Sequence, residues 1–205
     1  MKMIRHIKAV LCIAGLLFCF ASFAQEKEAI NWISFDKAVE LAQKNHKHII
    51  LDVYTQWCGP CKMMSKNTFQ NPDIAKYVNE HFYAVKFDAE SFDTLKITLN
   101  VPDTIRDKKT GKVIKVATKK QPLVFYNPSP KGTPRAVHQF AASILDNNLS
   151  YPSFVFLNDK IQRIDIVKGY NTPPQFEPII KFIGSSAYEK QKYDEWLKTF
   201  KPEIK

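Results

Sequence analysis

The sequence predicts an α/β domain built on a mixed β-sheet, and three observations predict it. Two short apolar runs, His48–Tyr54 and Phe82–Phe87, stand beside segments of helical periodicity as βα-type units. Ser153–Leu157 and Ile161–Val167, joined through Asn158-Asp159, form the clearest hairpin in the chain. Two helical stripes follow that hairpin. Units of this kind in this order bury their apolar faces most simply as helices layered on one sheet.

Each element has a local reason. Ser34 is placed to cap a helix in which Phe35, Ala38, Val39 and Ala42 recur at i, i+3, i+4 and i+7, ending near Asn45. His48–Tyr54 is largely apolar and β-branched, the pattern of a central strand buried on both faces. Thr55-Gln56 then leads into Trp57-Cys58-Gly59-Pro60-Cys61, where a helix should start and run towards Phe69, with Pro60 tolerated in its first turn. Asn71-Pro72 reads as the cap and first residue of the next helix, with Ile74, Tyr77 and Val78 on one face. Residues 91–134 break the pattern: they are polar, Lys-rich and punctuated by prolines, with a turn signal at Lys109-Thr110-Gly111. A helix is expected near Arg135–Asp146. After the hairpin, Phe176, Ile179, Ile180 and Ile183 share a stripe that stops at Gly184, a good C-terminal cap. Ser186-x-x-Glu189 reads as a capping box opening a last helix, with Tyr193, Trp196, Leu197 and Phe200 on its core face.

The first 24 residues have a basic start (Lys2, Arg5, Lys8), an apolar run from Ala9 to Phe20, and Ser22 and Ala24 framing a cleavage site. This is the pattern of a secretory signal peptide cut after Ala24. The apolar run is shorter than the roughly 20 residues that span a bilayer. Cys19 follows Phe18 rather than a small residue, which argues against a lipid anchor. The expected product is an exported, periplasmic protein forming one domain over residues 25–205.

Removing the signal takes Cys12 and Cys19 with it and leaves Cys58 and Cys61 as the only cysteines. One pair cannot make a disulfide framework, so it is redox-active, structural or metal-binding. Residues three apart on a helix lie roughly 5–6 Å from each other, within the about 4.4–6.8 Å between Cα atoms that a disulfide requires. A pair at a helix start can therefore close and open with little movement. Cys58 sits where unpaired backbone N–H groups and the helix dipole favour a thiolate, and Cys61 lies one turn deeper. Zinc would want two further Cys or His ligands, and none of His46, His48, His81 and His138 has the paired spacing of a second half-site. No metal, cofactor or catalytic histidine is expected.

Trp57-Cys58-Gly59-Pro60-Cys61 resembles the active-site motif of the thioredoxin superfamily residue for residue, and a strand of the expected kind precedes it. Asp52 occupies the place of the family's buried acid, and Lys86 resembles the lysine that faces it. Tyr151-Pro152-Ser153 is similar to the cis-proline loop, and Gly169 to the glycine after the last strand. From Trp32 through Lys86 the chain is most similar to exported reductases like the C-terminal domain of the DsbD type, including Asn67-Thr68-Phe69-Gln70-Asn71-Pro72.

The resemblance implies a thioredoxin fold, with a basic insertion before the cis-proline that the superfamily core does not require. It also implies a thiol:disulfide oxidoreductase. Cys58 attacks a substrate disulfide, Cys61 resolves the mixed disulfide, and Asp52 relays a proton to and from Cys61; the plainer role for Asp52 is an ion pair with Lys86. Gly59, Pro60, Tyr151 and Pro152 would face the substrate, Trp57 either contacts it or simply lids the helix, and Lys86 and Gly169 stand in support. Gly59-Pro60 is the thioredoxin dipeptide and points towards reduction. An oxidase or isomerase on the same fold is the first rival, and a binding or chaperone-like module the second.

Nine basic and three acidic residues give segment 91–134 a net +6. It reads as a solvated hairpin or loop, or as a docking surface for an acidic partner or a membrane face. The expected partners are protein disulfides and a membrane-embedded or other exported thiol donor, with membrane contact at most peripheral. No recognition motif accompanies the charge, which argues against nucleic acid.

Overall fold

A computed structural model describes residues 30–106 and 109–204. The signal-peptide reading of residues 1–24 and the charges at Asp107 and Lys108 lie outside the described residues.

The elements run β1 (Trp32–Ile33), α1 (Phe35–Asn45), β2 (His48–Tyr54), α2 (Gly59–Met63), α3 (Pro72–His81), β3 (Phe82–Asp88), β4 (Leu95–Arg106), β5 (Val113–Phe125), α4 (Gln139–Ile144), β6 (Ser153–Leu157), β7 (Arg163–Lys168), α5 (Pro173–Gly184) and α6 (Tyr193–Leu197). Five strands form one sheet in the order β1-β3-β2-β6-β7. β1, β3 and β2 are mutually parallel, and β6 and β7 are antiparallel additions. This is the mixed sheet of the thioredoxin fold.

Both faces of the sheet are covered, which is why its central strands are continuously apolar. Ile49, Leu51 and Val53 of β2 join Val155 and Leu157 of β6 against Phe35, Ala38, Val39 and Ala42 of α1. The alternate residues Ile50, Phe154 and Phe156 pack on the other side with Ile74, Ala75 and Val78 of α3 and Phe176, Ile180 and Ile183 of α5. Successive strand residues point to opposite faces, so Asp52 shares the face of Ile50.

The helix starts are more varied than the sequence suggests. Ser34 stands at the N-cap of α1, but its hydroxyl makes no capping hydrogen bond. Asn71 does cap α3, its Oδ1 accepting from the N–H groups of Asp73 and Ile74 at 3.0 and 3.1 Å. After Met63 the chain widens into a π-turn over Met64–Thr68, which carries Phe69 into the core against Trp32, Phe154 and Phe176. The helix expected over 135–146 is confined to Gln139–Ile144, because His138 is its cap, its Nδ1 accepting the Phe140 N–H at 3.0 Å.

The C-terminal region departs furthest. Ser186 does not open a helix: it takes a left-handed φ of 58° with no side-chain cap, and a short 3₁₀ turn over Ala187–Glu189 follows. Only Tyr193–Leu197 is α-helical and none of its residues is buried. Its aromatics form a surface cluster instead, Tyr193 and Trp196 on Phe182 and Trp196 stacked on Phe200 at 4.7 Å. Gly184 ends α5 without being a left-handed cap. A Cβ there would lie 2.9 Å from the Tyr77 ring and 3.0 Å from Phe82, so the glycine is needed for close approach of α5 to α3 and β3.

Within the 91–134 segment, β4 and β5 form a two-stranded antiparallel ribbon separate from the main sheet. The ribbon is not merely a solvated appendage. Ile97 is buried, and Leu95, Leu99, Leu123 and Phe125 pack on the α1 side of the core. Gln43 of α1 pairs with the backbone of β4, accepting from Asn100 N–H at 2.6 Å and donating to the Thr98 carbonyl at 3.1 Å. Beyond the Leu99–Gln121 pair the side chains described are exposed or half-exposed, Val113 and Val116 among them.

Candidate active site

Cys58 and Cys61 flank the first turn of α2. Thr55 O accepts the Cys58 N–H at 3.2 Å and so turns the chain out of β2, and Pro60 in the first turn fits because the N–H it lacks would have no helical partner there. The two sulfurs are joined in a disulfide with 5.3 Å between Cα atoms. Both cysteines are buried, Cys58 2% and Cys61 5% exposed, so Cys61 is not the deeper of the two, while Gly59 and Pro60 are exposed beside them. Cys58 Sγ also receives the Cys61 N–H at 3.1 Å, a donor that favours the thiolate once the bond is opened.

Asp52, on β2 six residues before Cys58, is only 2% exposed. Strand register sets it directly opposite Lys86 on one side and Phe154 on the other. Lys86 Nζ stands 4.0 Å from Asp52 Oδ2, too far for a tight hydrogen bond, and donates instead to Ser65 Oγ at 2.8 Å. The rings of Trp32, Tyr54 and Phe69 surround the same ammonium at 5.3–5.8 Å. Asp52 Oδ1 has no hydrogen-bond partner. Burial therefore raises the Asp52 carboxyl from 3.8 to about 7, against a smaller opposing pull from Lys86. A cleft of about 400 Å³, lined by Tyr54, Cys61, Ser65 and Lys86 among others, opens the Cys61 side of this cluster to solvent. A buried acid titrating near neutrality can take up and return a proton.

Ahead of β6 the Tyr151–Pro152 peptide bond is cis. Ser153 Oγ donates to Ser150 O at 2.6 Å, and Gly169 N–H donates to Pro152 O at 2.8 Å. Gly169 reaches that carbonyl with φ at 86°, a conformation that favours glycine. Trp57 is 48% exposed and meets the Tyr151 ring edge-on at 6.1 Å. The fold thus brings Asp52, Trp57, Cys58, Gly59, Pro60, Cys61, Lys86, Tyr151 and Pro152 to one end of the sheet, with Gly169 behind.

Three neighbours were not foreseen. Ser65 takes the Lys86 ammonium, Glu90 Oε1 accepts the Trp57 indole N–H at 2.9 Å, and the Arg135 guanidinium covers the Trp57 ring at 3.7 Å. Ser65 falls on the exit of α2, within reach of a helical reading. Glu90 and Arg135 meet only through the tertiary fold, and no local pattern announces them.

Known proteins resemble part of this chain. Human spermatogenesis-associated protein 20 is 36% identical over 62 residues, 30% of this chain and 8% of that protein. Thioredoxin C-3 of Corynebacterium nephridii is 31% identical over 74 residues, 34% of this chain and 47% of the thioredoxin. The chain spans less than half the length of either relative. Among solved structures, a thioredoxin-fold protein from Helicobacter pylori aligns with a TM-score of 0.49 at 20% identity, covering 76% of this chain and 80% of the other. A DsbH oxidoreductase aligns at 0.47 and 14% identity, covering 80% and 87%. A family model described as Thioredox_DsbH, "Protein of unknown function, DUF255", matches residues 22–162. That match takes in the cysteine pair, the ribbon and the cis-proline loop, well over half of the sequence, and the chain belongs to this family.

Proposed function

We propose that this protein is an exported thiol:disulfide oxidoreductase that reduces protein disulfides. The observation that carries the reading is the Cys58–Cys61 pair closed at a helix start, with Asp52 buried on the preceding strand and shifted to about 7. In the reduced protein the Cys58 thiolate attacks one sulfur of the substrate; the substrate S–S bond breaks and the departing sulfur takes a proton. Cys61 then loses its proton to the Asp52 carboxylate and attacks Cys58 Sγ, which closes the disulfide and frees the second substrate sulfur as a thiol. The substrate gains two electrons and two protons; the protein gives up the two electrons and the Cys61 proton, and solvent supplies the other proton, which it received when Cys58 became a thiolate. A dithiol donor, membrane-embedded or otherwise exported, must restore Cys58 and Cys61. Direction rests on the thioredoxin dipeptide Gly59-Pro60, export on the pattern of residues 1–24, and substrate docking along the backbone of Tyr151 on its place before the cis-proline.

The test is covalent trapping. Cys61→Ser should accumulate mixed disulfides through Cys58 when expressed with its own signal, whereas Cys58→Ser should accumulate none and should fail to reduce insulin. Equilibration with glutathione should find the pair more reducing than that couple. Trapping through Cys61 alone would reverse the roles, and a pair readily reduced by glutathione would favour the oxidase or isomerase.

A further inference from the structure

Arg135 meets Trp57 from the neck of the ribbon, where the chain returns from β5. Its guanidinium carbon lies 3.7 Å from the centre of the Trp57 ring, on a backbone held at a φ of 58°, where residues other than glycine are uncommon. Trp57 is itself fixed, its indole N–H given to Glu90 and its ring edge against Tyr151. Stacking orients the planar guanidinium without using its N–H donors. Arg135 is exposed, and among the described residues it makes no ion pair or hydrogen bond. A pre-oriented, unspent cationic fork thus stands on the residue preceding Cys58. The acids of this face are already engaged, Glu90 with the indole and Asp88 with Gln56 Nε2 at 3.0 Å.

We infer that Arg135 is a specificity-determining residue that receives a carboxylate beside the disulfide under attack. Preferred substrates are then extended polypeptides carrying Asp or Glu next to the reacting cysteine. This rests on the dithiol reading above. A strand lying along the Tyr151 backbone would bring its side chains past Trp57, where the planar fork can take both carboxylate oxygens. Glu90 and Asp88 would repel an acidic side chain placed elsewhere on the same face, so the preference is tied to position.

The experiment mixes the prereduced protein with two disulfide peptides that differ only in Glu or Gln beside the reacting cysteine and measures the rate constant for thiol release. The wild type should favour the Glu peptide by about three- to tenfold at low salt, the scale of an exposed but oriented charge pair. The ratio should fall towards one at about 0.5 M salt. Arg135→Gln should bring it near one, Arg135→Lys should keep it above one, and Arg135→Glu should turn it below one. A Glu-to-Gln ratio that Arg135→Gln leaves unchanged, or that salt does not move, overturns the inference while the reductase reading stands. Failure of the wild type to release thiol from either peptide overturns both.

Discussion

Replacing Asp52 by Asn should make the protein more stable and less active at the same pH. Carrying the carboxyl from 3.8 to about 7, at about 1.4 kcal/mol per pH unit, puts the cost of an ionised Asp52 at about 4 kcal/mol. The folded state holds a proton here that the unfolded chain has released, so stability falls as pH rises. The contribution is fully present below about 3.8, is lost as pH climbs through about 7, and is gone above it. Asn keeps the shape and never ionises. Wild type and Asp52→Asn should therefore unfold in urea at similar concentrations near pH 4, and the variant should gain steadily to an advantage of several kcal/mol at pH 8.

The oxidised protein is the form to use for the unfolding series, since its cysteines do not titrate. Activity should move the other way. Single-turnover decay of the mixed disulfide at pH 8 should slow by about 10²-fold in Asp52→Asn, the usual scale of losing a general base, and the rise of the wild-type rate through about pH 7 should disappear. Attack by Cys58 should be little changed. A stability difference flat from pH 4 to 8 would refute the raised acid. Mixed-disulfide decay as fast in the variant as in the wild type would refute the proton relay and leave Asp52 a structural residue.

Two further predictions concern packing. Gly184→Ala should destabilise by about 1–2 kcal/mol, overpacking against Tyr77 and Phe82 outweighing the better helix propensity of alanine; a raised thermal midpoint would show that Tyr77 gives way freely. Replacing residues 92–133 by a short Gly/Ser link should cost several kcal/mol in urea unfolding, because Ile97, Leu123 and Phe125 leave the core. Shortening the ribbon only beyond the Val101–Lys119 pair should cost about 1 kcal/mol or less, and equal losses from the two deletions would show the ribbon to be one cooperative unit.

What the sequence disclosed was what local periodicity controls. β2 could be read because every residue from Ile49 to Val53 is buried, and α1 because its stripe at 35, 38, 39 and 42 is the buried one. The cysteine pair was legible from spacing and the motif around it, and the Asp52–Lys86 pairing from resemblance, since only strand register makes those residues neighbours. Where several weak signals competed, the reading failed. Ser186-x-x-Glu189 has the letters of a capping box, yet Ser186 is left-handed and the box forms at Thr172 instead, where Gln175 Oε1 accepts the Thr172 N–H at 2.9 Å. The aromatic stripe at 193–200 has helical spacing but no face left to cover except Phe182, so it stays on the surface.

The ribbon looked separable because its composition is that of a solvated loop, but its neck is shared with the active site. The chain departs after Glu90 and returns at Arg135, and both residues end on Trp57. Just inside them the two strands of chain are tied together. His138 N–H donates to Ala89 O at 2.8 Å, and Asn127 Nδ2 donates to both Ser91 O and Ala136 O. His138 Nδ1 accepts the Phe140 N–H, so its other nitrogen must be the protonated one, donating to Asp93 O at 3.0 Å. That arrangement needs a neutral ring, and burial lowers the His138 pKa in the required direction. A perturbation at the neck therefore reaches Trp57 through covalent neighbours and hydrogen bonds. Glu90, Arg135 and His138 thus answer to the geometry beside Cys58.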